Sequence, residues 1–227
     1  MKKFLILLVT MFSIMPAFSM EVDLSKVGQQ QKYINEIGFR ILNANKIEHR
    51  MNFYYEPYRK TVNAWSSFID RRITVTQGIL AYIDSTDEMA ALLSHEIAHS
   101  ANSYNGLFKG YFSTFKYSVS PRKYETSADK KAVDYMVNAG YNPVAIIVLY
   151  NKLHSQTRYE YYLQHPLTSR RLATIYEYIY RKYPAYLANN KYIENIYYQN
   201  FLLTSQENRK KLKQSVKTNS KTKIKYN

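Results

Sequence analysis

The sequence predicts an α+β fold that is mainly helical, with a small three-stranded sheet placed before one active-site helix. Apolar residues recur at helical spacing over much of the chain. Three short stretches between residues 51 and 76 are rich in the aromatic and β-branched residues typical of strands. The segment 94–100 then reads Ser-His-Glu-Ile-Ala-His-Ser, with His95 and His99 four positions apart. These observations place the chemistry on a helix that directly follows the sheet.

The first residues have the pattern of an export signal. Lys2 and Lys3 precede an apolar run that ends near Pro16 and a few small residues. This is typical of a signal peptide over residues 1–19, cleaved after about Ser19. An uncleaved membrane anchor is the alternative, but the uncharged run is short for one. Since the sequence contains no cysteine, neither disulfides nor a lipid-modified cysteine are expected, and we expect a periplasmic protein.

The chain is strongly basic, with a formal net charge of +15. Residues 208–227 hold eight lysines or arginines and no acid. We expect one domain over residues 20–207, followed by a basic, disordered tail over residues 208–227. The tail is either simply solvated or attracted to anionic lipid or lipopolysaccharide. Nucleic acid would also fit the charge, but the export signal argues against it, so no nucleic-acid partner is expected.

Local patterns predict the elements before the motif. An amphipathic helix is expected over residues 22–46, where apolar residues recur at helical spacing. Candidate strands follow over residues 51–58, 63–68 and 73–76, with a turn at Asp70-Arg71-Arg72. We expect them to form a small antiparallel sheet. Ser85 and Glu88 have the spacing of a capping box, which predicts the start of the active-site helix.

Later elements are bounded by proline and glycine. Ser120 and Pro121 predict a helix start, and Gly140 predicts its end. Further helices are expected from Pro143, from Thr168 to Pro184, and from about Lys191 into the tail. The aromatic segment 101–121 is either a lid over the site or an ordinary packed helix and loop.

The His95–His99 spacing predicts a metal site. Residues at i and i+4 share one face of a helix, so both imidazoles can reach one ion. Glu96 points aside, where it can hold a water rather than the metal. A catalytic zinc needs a third protein ligand, for which we select Glu125 on the next predicted helix. Asp129 lies four residues later on the same face and can fix the tautomer of a ligand histidine.

Taken together, these motifs resemble those of the HtpX/BepA-like zinc metallopeptidases, the group that also contains the CAAX prenyl endopeptidases and the mitochondrial Oma-type peptidases. The likeness covers residues 39–172. One departure is the turn at residues 70–72, where the family usually has glycine. The matching segments are Asn63-Ala64-Trp65, residues 73–80, residues 87–99, Glu125-Thr-Ser-Ala128-Asp129, Ala139-Gly140-Tyr141-Asn142-Pro143, and His165-Pro166 with Arg171.

The resemblance implies a zincin-like fold of the gluzincin type, with one zinc ion held by His95, His99 and Glu125. Glu96 would be the general base. His165 would lie near the metal, either as a catalytic aid or as a structural residue, and Arg171 would pin its loop through an ion pair. We further expect a substrate to add as an extended strand at Ile73, Thr74 and Val75.

The sequence therefore predicts a secreted or periplasmic zinc endopeptidase that acts on misfolded or stalled envelope proteins. The alternative is a chaperone-like envelope binding protein whose metallopeptidase site is largely silenced. The intact set of ligands and base favours the enzyme.

Overall fold

The structure is a computed structural model that describes residues 24–48, 50–67, 70–103, 121–156, 169–220 and 222–226. The predicted signal peptide, the segment 104–120 and His165 lie outside these residues. In chain order the described elements are α1 (Leu24–Ala44), β1 (Asn52–Glu56), β2 (Ala64–Ser67), β3 (Arg72–Thr76), α2 (Gln77–Leu80), α3 (Thr86–Ser103), α4 (Pro121–Asn138), α5 (Ala145–Gln156), α6 (Ser169–Lys182), α7 (Ala185–Ala188), α8 (Ile196–Thr204) and α9 (Gln206–Lys217). The mainly helical α+β class is confirmed.

The sheet is mixed rather than antiparallel, so that expectation was wrong. Its strand order is β1-β3-β2, with β1 parallel to β3 and β2 antiparallel to β3. The chain direction reverses between β2 and β3, so those two strands are antiparallel. Arg71, directly before β3, has a φ of +53°, a left-handed conformation that glycine adopts with less strain. The departure from the family pattern therefore falls at a position where glycine would be favoured.

Strand β3 is the central strand, which contradicts the expectation that a substrate pairs along Ile73, Thr74 and Val75. Both of its edges are already hydrogen-bonded to neighbouring strands, and the three side chains are almost completely buried. The outer edge of β1 is also occupied. The side chain of Gln31 from α1 donates to the Phe53 carbonyl at 3.0 Å and accepts from the Tyr55 N–H at 2.8 Å. Strand β2 is the other edge strand of the described sheet and pairs with β3.

Helix α3 runs through the centre of the domain and is buried from residue 87 to residue 100. It packs against α1, α4, α5 and β2. The predicted cap by Ser85 is confirmed, since its Oγ accepts from the Glu88 N–H at 3.2 Å. The Glu88 carboxylate reaches back to the N–H of Asp84 at 3.2 Å, one residue before the position that the capping box predicts. A helix buried on every side gives its polar residues an environment without bulk water.

Helix α4 ends where Gly140 predicted its end. Gly140 has a φ of +78°. The N–H of Gly140 donates to the Val137 carbonyl at 3.0 Å, and that of Tyr141 to the Met136 carbonyl at 2.8 Å. These two bonds make a Schellman motif. It turns the chain sharply, so that α5 packs back against α3.

Part of the region for which a disordered tail is expected is helical in the structure. Residues Gln206–Lys217 form α9, which buries Leu212, and Tyr226 is also buried. In α8, Ile196 is exposed, whereas Tyr198 and Phe201 face the core. Within the described ranges, no helix has both the length and the apolar character needed to cross a bilayer.

Candidate metal centre

The two histidines of α3 meet a carboxylate of α4 in the core of the protein. His95 and His99 lie one turn apart on α3, and their Nε2 atoms are 2.9 Å apart. Glu125 Oε2 lies 3.3 Å from His95 Nε2, and Glu125 Oε1 lies 3.2 Å from His99 Nε2. All three residues are buried. The structure thus brings together the three metal ligands predicted from the sequence.

These separations fit a zinc ion. Ligand atoms placed about 2.0–2.1 Å from a tetrahedral centre are separated from one another by roughly 3.3 Å. The observed spacings of 2.9, 3.2 and 3.3 Å lie close to that value. Two imidazoles and one carboxylate are also a common set of protein ligands at catalytic zinc sites, where a fourth position stays open. The residues could therefore hold zinc without rearrangement of the helices.

Asp129 lies behind His95, as predicted for a residue that orients a ligand. Its Oδ1 is 3.1 Å from His95 Nδ1. A hydrogen bond there keeps the proton of the neutral imidazole on Nδ1 and leaves Nε2 available as a ligand. Asp129 and Glu125 can act on the same histidine because they lie one turn apart on α4.

Arg171 joins the two carboxylates of α4 to helix α6. Its Nε and Nη2 donate to Asp129 at 2.8 and 2.7 Å, and its Nη1 lies 3.0 Å from Glu125 Oε2. The guanidinium is almost completely buried. The ion pair predicted for Arg171 is present, but its partners belong to the metal site itself. Arg171 therefore fixes the orientation of both acidic side chains.

Tyr150 is a site residue that the sequence motifs did not indicate. It is fully buried on α5, and its hydroxyl donates to Asp129 Oδ1 at 3.2 Å. Its ring packs edge-on against His95 at 5.8 Å between centroids, and the Arg171 guanidinium lies 5.1 Å from its centroid. A tyrosine on an otherwise apolar helix face needs a partner for its hydroxyl, and that was the available signal.

Two further residues lie beside His99. Tyr124 stacks on the His99 ring with centroids 4.8 Å apart and an interplanar angle of 23°. Glu96, the predicted base, is buried next to His95 on α3 and is close enough for its charge to act on the pKa of His99. The position of His165 relative to these groups falls outside the described residues.

The electrostatics of the cluster favour a cation between the ligands. Burial alone would lower the pKa of His95, but the hydrogen bonds and charges of Asp129 and Glu125 outweigh it and raise that pKa to about 9. Burial and the neighbouring His95 lower the pKa of His99. For Asp129, burial is outweighed by the charge of Arg171 and the bond to His95, which lower its pKa. The lowered pKa keeps the Asp129 carboxylate ionised, and the raised pKa of His95 shows that the cluster attracts positive charge.

The start of α3 is held in place by a buried lysine. Lys152 of α5 donates to the Tyr82 carbonyl at 2.9 Å, to Asp84 at 2.6 Å and to Glu88 at 2.7 Å. Asp87 adds a second attachment, since it accepts from the Asn142 N–H at 3.1 Å. Because His95 and His99 lie farther along the same helix, these contacts help to set the position of the metal ligands.

Comparison with known proteins agrees with this geometry. Residues 28–108 match the model of peptidase family M48. The match supports the M48 metallopeptidases, which are metal-dependent hydrolases that typically use zinc, without separating the HtpX, BepA and Oma-type subgroups. The M48 match spans most of α1, the sheet and α3 with both histidines, and it ends before Glu125. No curated protein matches the chain significantly.

Proposed function

We propose that the protein is a zinc-dependent endopeptidase that cleaves unfolded or stalled proteins of the cell envelope. The observation that carries this proposal is the convergence of His95, His99 and Glu125 at mutual separations of 2.9 to 3.3 Å. The M48 match to the segment containing both histidines supports the peptidase class. The envelope location rests on the export signal in the sequence.

The residues of the site have separable roles in this proposal. A bound zinc ion supplies Lewis-acid chemistry, which polarises a carbonyl oxygen and makes water more acidic. Glu96 takes a proton from the attacking water and passes it to the leaving amine. Asp129, Arg171 and Tyr150 hold His95 and Glu125 in the orientation that the ligands need. In this scheme His165 either assists at the metal or is structural.

The order of the strands indicates where a substrate strand would add. Since β3 is paired on both sides and Gln31 contacts the outer edge of β1, we assign the substrate to the side of β2 (Ala64–Ser67) that faces away from β3. Strand β2 packs against α3, which carries the histidines. Main-chain hydrogen bonds along this edge would accept many sequences, as expected for a protease that acts on unfolded chains.

Substitution of Glu96 tests the mechanism. Glu96→Gln should keep bound zinc and lose cleavage of unfolded casein, because only the proton acceptor is neutralised. Glu36→Gln is the matched control, since that side chain is 64% exposed on α1 and should leave cleavage unchanged. Cleavage retained by Glu96→Gln would remove Glu96 from the role of base.

Metal analysis tests the ligand assignment separately. Glu125→Ala should lower the zinc content of the purified protein, and a chelator should abolish cleavage by the unmodified protein. An unchanged zinc content in Glu125→Ala would exclude Glu125 as a ligand. Binding of unfolded casein without chelator-sensitive cleavage would instead favour the chaperone-like alternative.

A further inference from the structure

The chain reverses direction after α9 and packs its last described residues back onto the protein. Asn219 has a φ of +49°. The Ser220 N–H donates to the Ser215 carbonyl at 3.0 Å, and the Asn219 N–H to the Val216 carbonyl at 3.1 Å. This is a Schellman motif with asparagine in the left-handed position. Residues 222–226 therefore turn back alongside α9.

Tyr226 anchors the returning segment. Its ring is buried, and its hydroxyl donates to Glu177 on α6 at 2.8 Å. Because the turn holds one end and Tyr226 the other, residues 222–226 lie along α9 at a defined position. The lysines of this segment thus acquire fixed neighbours, which a solvated tail would not give them.

A groove of about 310 Å³ lies between α9 and the returning segment. It contains three lysines, Lys211 from α9 and Lys223 and Lys225 from the other wall, and no acidic residue lines it. Ser215 and Thr222 also line it. Arg181 of α6 reaches its side, where Nη2 donates to Ser215 Oγ at 3.3 Å. The lining is thus made largely of cations and hydrogen-bond donors.

The positive charges of this groove are not balanced within the described part of the chain. None of Lys211, Lys223 and Lys225 forms a salt bridge there, and Glu177 is already engaged by Tyr226 and Arg181. Like charges held close together repel one another, and a bound anion relieves that repulsion. Ammonium groups and hydroxyls together match the oxygens of a phosphate group.

We propose that the groove between α9 and residues 222–226 binds a phosphate group, carried by a lipid headgroup or free in solution. This site is distinct from the metal centre and does not depend on peptidase activity. Binding to lipid phosphates would hold the protein at a membrane surface, whereas free phosphate would act as a small ligand. Both sources present the same phosphate oxygens, and the experiment below distinguishes them.

The test measures binding by the purified full chain to three probes. These are inorganic phosphate, vesicles of phosphatidylcholine, and vesicles of phosphatidylcholine mixed with phosphatidylglycerol. Lys211→Gln/Lys223→Gln/Lys225→Gln removes the lysines of the groove. The control Lys210→Gln/Lys213→Gln/Lys217→Gln removes the same charge from α9 positions outside the groove lining, and glutamine keeps a similar helix propensity.

The phosphatidylcholine vesicles are the control for net charge, because their headgroup carries a phosphate balanced by choline. We expect the groove variant to lose on the order of a hundredfold in affinity for an anionic probe, as three lysines near an anionic surface imply. The control variant should lose at least tenfold less. Loss confined to the mixed vesicles assigns a lipid headgroup, and loss confined to inorganic phosphate assigns the free ion. Equal losses in both variants, or no binding of either inorganic phosphate or the mixed vesicles by the unmodified chain, would overturn the proposal.

A second variant separates a built groove from net charge. Tyr226→Ala leaves every lysine in place but removes the anchor of the returning segment. It should weaken binding severalfold with no change in net charge. If Tyr226→Ala binds as tightly as the unmodified chain, the fold of this segment does not make the site.

Discussion

Replacement of Tyr150 by phenylalanine isolates one hydrogen bond behind the metal ligands. The change removes the hydroxyl that donates to Asp129 Oδ1 at 3.2 Å. It keeps the ring that packs against His95 and under Arg171. Asp129 retains its two bonds from Arg171 and its contact with His95. The expected effect is therefore looser orientation of Asp129, and through it of His95, without collapse of the site.

The size of the effect follows from the partners that remain. Loss of a residue that orients a metal ligand typically costs 10–100-fold in metal affinity. Asp129 keeps its other contacts, and the lost hydrogen bond is long. We therefore expect zinc affinity to fall by about tenfold, the low end of that range, which corresponds to about 1.4 kcal/mol. The same change should destabilise the fold by about 1.5 kcal/mol, because the hydroxyl donates to a charged group.

The assay is competition for zinc against a chelator of known affinity, with urea unfolding measured in parallel. Tyr178→Phe is the matched control, because it also removes a hydroxyl that donates to a carboxylate, Asp134 at 2.8 Å, away from the metal site. It should lower stability without changing zinc affinity. Unchanged zinc affinity in Tyr150→Phe, or the same loss in both variants, would refute the positioning role of Tyr150.

Three further predictions concern the stability of the fold and of the metal site. Lys152→Met should destabilise the protein by about 3 kcal/mol in urea unfolding, because it leaves the buried Glu88 carboxylate without the lysine that neutralises it. The double variant Lys152→Met/Glu88→Gln should recover part of that stability. If it does not, the Glu88 carboxylate is not the cause of the loss. Gly78→Ala should cost about 1–3 kcal/mol, since the added Cβ would meet the Lys60 carbonyl oxygen at less than van der Waals distance. Its control, Gly28→Ala, lies in α1 with open space around it and should gain about 0.5–1 kcal/mol; equal thermal shifts would contradict the clash. Zinc at about 1,000 times its Kd should add about 4 kcal/mol and raise Tm by roughly 8–16 °C, and a chelator should reverse that shift; a Tm unaffected by both would show that zinc does not bind the folded site.

The sequence predicted best those features that depend on neighbours along the chain. The helix cap at Ser85 and Glu88, and the glycine stop at Gly140, are local motifs whose hydrogen bonds form within a few residues. The convergence of His95 and His99 follows from helical spacing alone. Glu125 and Asp129 could be predicted to act at the same site for the same reason, because residues four positions apart lie on one face of α4.

The features that failed depend on contacts between distant residues. Alternation of apolar and polar residues identifies a strand but not the strands beside it. The position of β3 between β1 and β2 could therefore not be predicted from the sequence. Composition likewise does not indicate that Tyr226 has a partner, Glu177, 49 positions away. Tyr150 was missed because its role depends on the approach of α5 to Asp129.

Arg171 offsets part of the negative charge of the metal centre. Among the described residues, the buried cluster contains three acidic side chains, Glu96, Glu125 and Asp129, and one guanidinium. Acidic side chains thus outnumber the guanidinium there, which agrees with the raised pKa of His95. A divalent cation would offset more of this negative charge than a monovalent ion, so charge as well as the spacing of the ligand atoms favours a divalent occupant.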